Sequence, residues 1–406
     1  MRTKRLVLVA FLVALYIVPA ILAPSVIHTA TPIQDNKVKD FQVASWYDAT
    51  FQYRQNVTIT GSTGAGTDYQ VRIDVSYASD MQDDFDDILF TEADEITPLD
   101  FWRESYIANT SAVFWVEVTA DLGTDQLIWM YYGNSTASTT SDGEATFLLF
   151  DDFNDASFDT AKWDVKNNAP TEAGGFITCA VTATEGFASD DSFTYGKIRS
   201  NASFTADVTG SYFGKWGFLG DWVGGDVAST SFWQYNPATM RARTTSASQD
   251  VGDYDGAYYT YEIRWTVGNA EYFIDDSGLL TLTTGVYDAG SYASGYLHDK
   301  DGVLSIDWLF VGKQVETEPS VSAFGDQQVG PVWNLINTAI FYLNVPFDYW
   351  ALNMGLVFGG LIIMLFSACM MAVKIRDRTI TRDAGILLLF LFCVGWGLFI
   401  GGTLIG

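Results

Sequence analysis

Among its 406 residues the chain has three cysteines and two histidines. Cys369 and Cys393 sit inside long apolar runs, so Cys179 stands alone in the polar body of the sequence. An intrachain disulfide framework is therefore excluded there, and stability must come from the size of the core or from bound ions. With only His28 and His298, a histidine-based hydrolase or a His-rich zinc site is disfavoured. No G-x-S-x-G, P-loop or H-E-x-x-H string occurs, and the turns DVGDYDG and HDKDG are too short for EF-hand loops. Cations are scarce as well: 22 Lys and Arg face 49 Asp and Glu, a net charge of −27. All the acids but Asp348, Asp377 and Asp383 fall between residues 31 and 330. A field of that sign repels phosphate backbones and argues against nucleic-acid binding.

What is plentiful is glycine, 36 residues, and aromatic side chains, 15% of the chain. Both suit β structure with many tight turns. YEIRWTV (261–267) places Tyr261, Ile263, Trp265 and Val267 on one face of a strand. DYQVRIDVS (68–76) does the same with Val71, Ile73 and Val75. Half-buried strands of this kind, separated by Gly, Asp, Asn and Ser turns, predict antiparallel sandwiches. No long amphipathic helix is legible between 40 and 325.

The two ends read differently. MRTKR before an apolar stretch is an export signal, so residues 1–30 are expected to be either a signal peptide cleaved near Ala23 or Ala30 or a retained anchor. Residues 350–373 and 384–405 are each long enough and apolar enough to cross a bilayer as a helix. The loop 374–383 between them carries Lys374, Arg376, Arg378 and Arg382, which predicts a cytoplasmic loop and an external body. The aromatic segment 327–349 suits the membrane interface. Neither span holds an ionisable residue, so the pair reads as an integral membrane anchor, not a transporter. Gly355/Gly359 and Gly397/Gly401 are GxxxG pairs that would allow helix packing or self-association.

Between the ends, a Ser/Thr-rich stretch (NSTASTTSDGEA) separates two aromatic runs, QLIWMYYG and TFLLFDDF. It predicts two modules, a β-sandwich over 36–147 and a second over 148–326. Residues 41–153 resemble the prokaryotic extracellular family known as domain of unknown function 2341, in FQYRQNVTIT, DYQVRIDV, DDFDDILFTEADEITPLDFWRESY, SAVFWVEV and LIWMYYGNSTAS. Residues 148–325 are similar to the concanavalin A-like, laminin-G-type jelly rolls, in LFDDFNDASFDTAKWDV, FTYGKIRS and LSIDWLFVGKQVETEPSVSAFG. The pairing implies an archaeal or bacterial surface protein that binds glycans or other ligands.

The jelly-roll resemblance also implies a calcium ion where the first and closing strands meet, on Asp151 or Asp152 and Asp307. It raises the question of hydrolysis, since retaining glucanases with this fold use paired glutamates. Their E-x-D-x-x-E string is absent; the nearest stretch, EYFIDD (271–276), lacks the second Glu and reads as a strand and turn. Binding is the stronger expectation. Sugar sites combine aromatic platforms with polar acceptors, which points to FGKWGFLGDWVGG and SFWQYN: Trp216, Asp221, Trp222, Trp233, Tyr235 and Asn236. The expected partner is a carbohydrate or a cell-envelope protein; the alternatives are a structural envelope component and an unconventional glycoside hydrolase. Four N-x-S/T sequons, at Asn56, Asn109, Asn134 and Asn201, are glycosylation candidates.

Overall fold

The computed structural model describes residues 46–180, 185–205, 213–220, 229–234, 239–298 and 302–330. The export signal, residues 331–349 of the interfacial segment and both apolar spans lie outside them. Among the described residues no helix is long and apolar enough to cross a membrane.

The described body is all-β. Its first six strands are β1 (Tyr53–Thr60), β2 (Tyr69–Ser76), β3 (Leu89–Thr91), β4 (Phe101–Ile107), β5 (Ser111–Val118) and β6 (Gln126–Tyr132). A one-turn helix, α1 (Gly143–Thr146), follows, capped by Asp142 accepting from the Ala145 N–H. Then come β7 (Leu149–Asp151), β8 (Trp163–Val165), β9 (Thr171–Glu172), β10 (Ile177–Ala180), β11 (Glu185–Phe193), β12 (Gly196–Thr205) and β13 (Phe213–Leu219). The chain continues through β14 (Ser229–Gln234), β15 (Thr239–Arg243), β16 (Ser248–Asp253), β17 (Tyr258–Thr266), β18 (Asn269–Ile274) and β19 (Ser277–Leu282). It ends with β20 (Ser291–His298), β21 (Val303–Gly312), β22 (Ser320–Phe324) and β23 (Gln328–Val329).

These strands form four sheets. Sheet A has the order β22-β1-β6-β3 with β23 also on β1, and sheet B the order β2-β5-β4. Sheet C runs β19-β18-β17-β12-β21-β10-β9 with β7 also on β21, and sheet D runs β16-β15-β14-β13-β20-β11-β8. The alternation that suggested strands is the alternation that fills the cores. Val71, Ile73 and Val75 of β2 are buried in the core between A and B, and Tyr261, Ile263 and Trp265 of β17 in the core between C and D. Val267, expected beside them, is 71% exposed because β17 ends at Thr266 and the chain turns at Gly268.

Two features correct the expected boundaries. The stretch Ser320–Phe324, assigned from sequence to the second sandwich, pairs with β1 instead, Val57 opposite Phe324 and Ile59 opposite Val321. The chain thus returns to the first sandwich after completing the second. Nor are the sandwiches joined by the Ser/Thr-rich stretch alone: the outer face of B packs on the outer face of C. Half of that contact is aromatic, with Trp102 edge-on to Trp308 at 5.1 Å and Phe147 stacked on Phe310 at 3.9 Å. The other half is ionic. Arg199 of β12 grips Glu104 of β4 through two bonds of 3.0 and 2.7 Å, and reaches Glu262 and Asp276 at 2.8 Å each.

The Asp-Asp turn of EYFIDD is a strand-connecting turn as expected, with Asp275 and Asp276 both at positive φ. Its second carboxylate also crosses to Arg72 of β2 at 2.6 Å. Burial alone would drive such acids neutral. The surrounding cations win, and the Glu262 and Asp276 carboxyls are held below the usual range.

Candidate functional site

With sheets A and B stacked on one side of C, the broad face left to the second sandwich is the outer face of D. Its composition follows from register. Trp216, Phe232 and Ala242 lie in adjacent register on β13, β14 and β15 and belong to the buried core. Their neighbours along each strand must face away. Lys215 is opposite Tyr296 on one side and Trp233 on the other, and Trp233 is opposite Arg241. Tyr296, Lys215, Trp233 and Arg241 therefore form one continuous row across four strands.

The next row is of small residues: Ser294, Gly217 and Ser231, with Arg243 at its end. Gly217 has φ +139°, and a Cβ there would lie 2.6 Å from the Thr230 carbonyl oxygen, so no side chain can rise from the middle of the row. The result is a row of hydroxyls and bare backbone beside a row of aromatic and cationic groups. Ser231 and Ser294 are fully covered and Trp233 is 8% exposed, while Tyr296 and Arg241 at the ends are half-exposed. The Arg243 guanidinium lies 4.4 Å from the centre of the Trp233 ring. All five large side chains are engaged by further groups, which holds the row in place.

The residues proposed from sequence divide accordingly. Trp216 is not a platform: it is fully buried against Phe232 and Tyr261 between the sheets. Trp233, one strand over and one residue out of phase with it, does belong to the outer face. Asp221, Trp222, Tyr235 and Asn236 lie outside the described residues. Sequence reading missed Lys215, Arg241, Arg243 and Tyr296, although the alternation in FGKWGFL and in MRART already separates lysine from tryptophan and arginines from alanine.

The three aspartates drawn from the jelly-roll resemblance do not converge. Asp151 is turned into the protein, accepting the Trp163 indole N–H at 2.7 Å and the Phe153 N–H at 2.9 Å. Burial pushes its carboxyl up, and these two bonds work the other way. Burial, and after it the Asp152 charge, raise the Asp307 carboxyl. Among the described residues no three acids, histidines or cysteines gather as a metal site.

Of the sequons, Asn109 is exposed at a turn with φ +56°. Asn56 and Asn134 are half-buried, Asn134 accepting from the Thr136 of its own sequon. Asn201 sits mid-sheet between β17 and β21, half-buried, with its side-chain oxygen covered.

A concavity of about 600 Å³ opens at the ionic margin between the sandwiches. Arg72, Lys197 and Arg264 line it, opposite Asp74 and Glu318. Its charges are already matched, Arg264 to Glu318 at 3.3 Å and Arg72 to Asp74 at 3.0 Å, with Lys197 also bound to Glu318. It is the edge of an interface.

The family described as domain of unknown function (DUF2341) matches residues 84–166, a stretch that begins inside the first sandwich and runs across the seam to the end of β8. The uncharacterized protein MJ1472 of Methanocaldococcus jannaschii is 26% identical over 238 residues, which is 52% of this chain and 41% of that protein. The chain thus spans well under half the length of that curated relative. Among solved structures, a Bacillus licheniformis β-glucanase is 12% identical, with 41% of this chain and 98% of that one aligned at a TM-score of 0.35. LamAcat from Zobellia galactanivorans is 15% identical, with 41% and 97% aligned at 0.33. The laminarinase from Flavobacterium sp. UMI-01 is 14% identical, with 41% and 100% aligned at 0.34.

Proposed function

We propose that this chain is a surface-displayed binding protein that takes carbohydrate on the outer face of sheet D. The observation that carries the proposal is the row Tyr296–Lys215–Trp233–Arg241 beside a floor of Ser294, Gly217 and Ser231. Sugars offer apolar ring faces and hydroxylated edges, and these rows offer aromatic rings, hydroxyls and charged donors side by side. Binding is favoured over hydrolysis because the two rows hold no carboxylate between Tyr296 and Arg241, where a retaining glycosidase would need two about 5–5.5 Å apart. The first sandwich, clamped to sheet C by the Arg199 ion cluster, serves as a rigid mount. The export signal and apolar hairpin read from the sequence would hold the body outside the cell.

A glycan array probed with the purified full chain tests the ligand class, with Trp233→Ala and Tyr296→Ala as loss-of-binding controls. Retention of no glycan at all would overturn the reading. Protease added to intact cells tests the placement: both sandwiches should be lost before lysis.

A further inference from the structure

Resting on the reading that the body is displayed outside the cell, we infer that one sequon, Asn109, carries a glycan, joined to the tip of the β4–β5 hairpin of the folded protein. Sequence alone does not rank the four sequons, and the fold does. Asn109 is exposed and lies in the three-residue loop between Ile107 and Ser111, the last pair of the β4–β5 ladder. Its φ of +56° is a left-handed conformation that asparagine enters more readily than most residues. The loop backbone is pinned: the Asn109 N–H donates to the Asp83 carbonyl at 3.1 Å, and the Thr110 N–H to the Ile107 carbonyl at 2.9 Å. The Asn109 side chain meets no hydrogen-bond partner among the described residues.

Strand geometry tells how far this tip projects. Consecutive strand residues point to opposite faces of a sheet. Yet Ser105, Tyr106 and Ile107 are all exposed, Tyr106 at 47% and Ile107 at 65%. Both faces of the hairpin end therefore stand clear of the sandwich, and a transferase can close around the acceptor loop. The same two side chains leave an aromatic ring and a branched aliphatic chain in water beside the acceptor, where a bulky hydrophilic glycan would shield them.

The other sequons lack this access. Asn56 is half-buried within β1, opposite Trp129 of β6, and its carbonyl accepts the Gly325 N–H at 2.9 Å. Asn134 is half-buried with both ends of its amide engaged: the nitrogen donates to the Thr50 hydroxyl at 3.1 Å, and the oxygen accepts from Thr136. Asn201 is half-buried between two paired strands.

The donor is a glycan carried on a lipid phosphate. Asn109 Nδ2 forms a bond to the anomeric carbon of that glycan. The bond from the anomeric carbon to the phosphate oxygen breaks, the phosphate leaves with the electron pair, and the amide gives up one proton. Ser111 supplies the hydroxyl that completes the sequon, a part that threonine fills equally well.

The test is glycopeptide mass spectrometry on the protein purified from the cells that make it, alongside protease treatment of the same cells intact. The Asn109 peptide should carry glycan at least about fivefold more often than the peptide of any other sequon. Ser111→Ala should abolish that added mass and Ser111→Thr should keep it. Thermal stability should be unchanged in both, since the Ser111 hydroxyl has no hydrogen-bond partner among the described residues. A glycan carried mainly at Asn56, Asn134 or Asn201 overturns the inference, as does a bare Asn109. A body that is bare yet shaved by protease leaves the surface reading standing and sinks this inference alone. A body that is bare and protected until lysis sinks both.

Discussion

Asp87 Oδ2 accepts the backbone N–H of Gly133 at 2.7 Å. The same carboxylate accepts from Asn134 N–H at 3.2 Å and, through its other oxygen, from Gln82 N–H at 3.0 Å. Gly133 is obligatory: its φ is +84°, and a Cβ would lie 2.6 Å from the Tyr53 ring. Two sequence features, DDFDD and YYGN, are thus one structural device that ties the turn before β3 to the end of β6. Burial pushes the Asp87 carboxyl up and the three backbone donors pull it back, so the group sits at 1% exposure with its bonds satisfied.

Asp87→Ala strands three backbone donors in the interior. A loss of about 3 kcal/mol is expected, since an unsatisfied buried group costs roughly 1–3 kcal/mol and relaxation admits some water. Denaturant unfolding measures it. An unchanged midpoint would show that the turn does not depend on the carboxylate.

Arg199 makes a comparable prediction at the seam. It is 2% exposed, and its removal leaves Glu104 and Glu262 buried without their shared cation. Arg199→Met should cost about 3–5 kcal/mol, whereas replacing all three residues with apolar ones should recover most of the loss, because a buried ion cluster is worth little more than good packing. The expected signature is a split of one unfolding transition into two, as the sandwiches uncouple. A single transition in Arg199→Met would mean that the aromatic half, Trp102 with Trp308 and Phe147 with Phe310, suffices.

How far the sequence foretold this follows from what local pattern encodes. Alternation in DYQVRIDVS and YEIRWTV is a property of the strand itself, so Val71, Ile73, Ile263 and Trp265 were identifiable as core. Partner choice is not local. SVSAF would serve either sandwich by its own pattern, and its pairing with β1 depends on register with a strand near the other end of the body. The ion cluster was illegible for the same reason: Glu104, Arg199, Glu262 and Asp276 each look like ordinary solvated positions. Trp216 and Trp233 look alike in composition, and only the phase of their strands sends one into the core and one out of it.

Acidification should stabilise the protein through Glu172. Burial first, and a hydrogen bond with Asp155 second, push the Glu172 carboxyl up to about 7. Asp155 is held below its usual value by that bond and by the Ser157 N–H at 2.9 Å. For Glu172 the folded value lies above the unfolded one. Its contribution is therefore complete below the ordinary glutamate range and is lost as pH rises through about 7. The depressed Asp155 works the opposite way, but only in more acidic solution. Melting temperature should rise on going from pH 8 to pH 5.5. Relief of the general negative charge contributes too, so the diagnostic is the difference from Glu172→Gln, which should lose that part of the rise and melt higher than the parent at pH 8. Parallel pH profiles for the two proteins would exclude the pair as the source.

The two tryptophans provide the sharpest separation of stability from binding. Trp216 is fully covered, and its indole N–H has no acceptor, so its role is volume. Trp216→Ala should cost about 3–5 kcal/mol, as for other buried aromatic deletions, and Trp216→Phe much less, because no hydrogen bond is lost with the ring nitrogen. Trp233 stands on the other face with Arg243 over its ring. Trp233→Ala should cost less stability than Trp216→Ala yet abolish glycan retention, whereas Trp216→Phe should leave retention unchanged. Unfolding and glycan binding measured on the same preparations decide it. Full retention by folded Trp233→Ala would remove the outer face of sheet D from the function, whatever the stability data show.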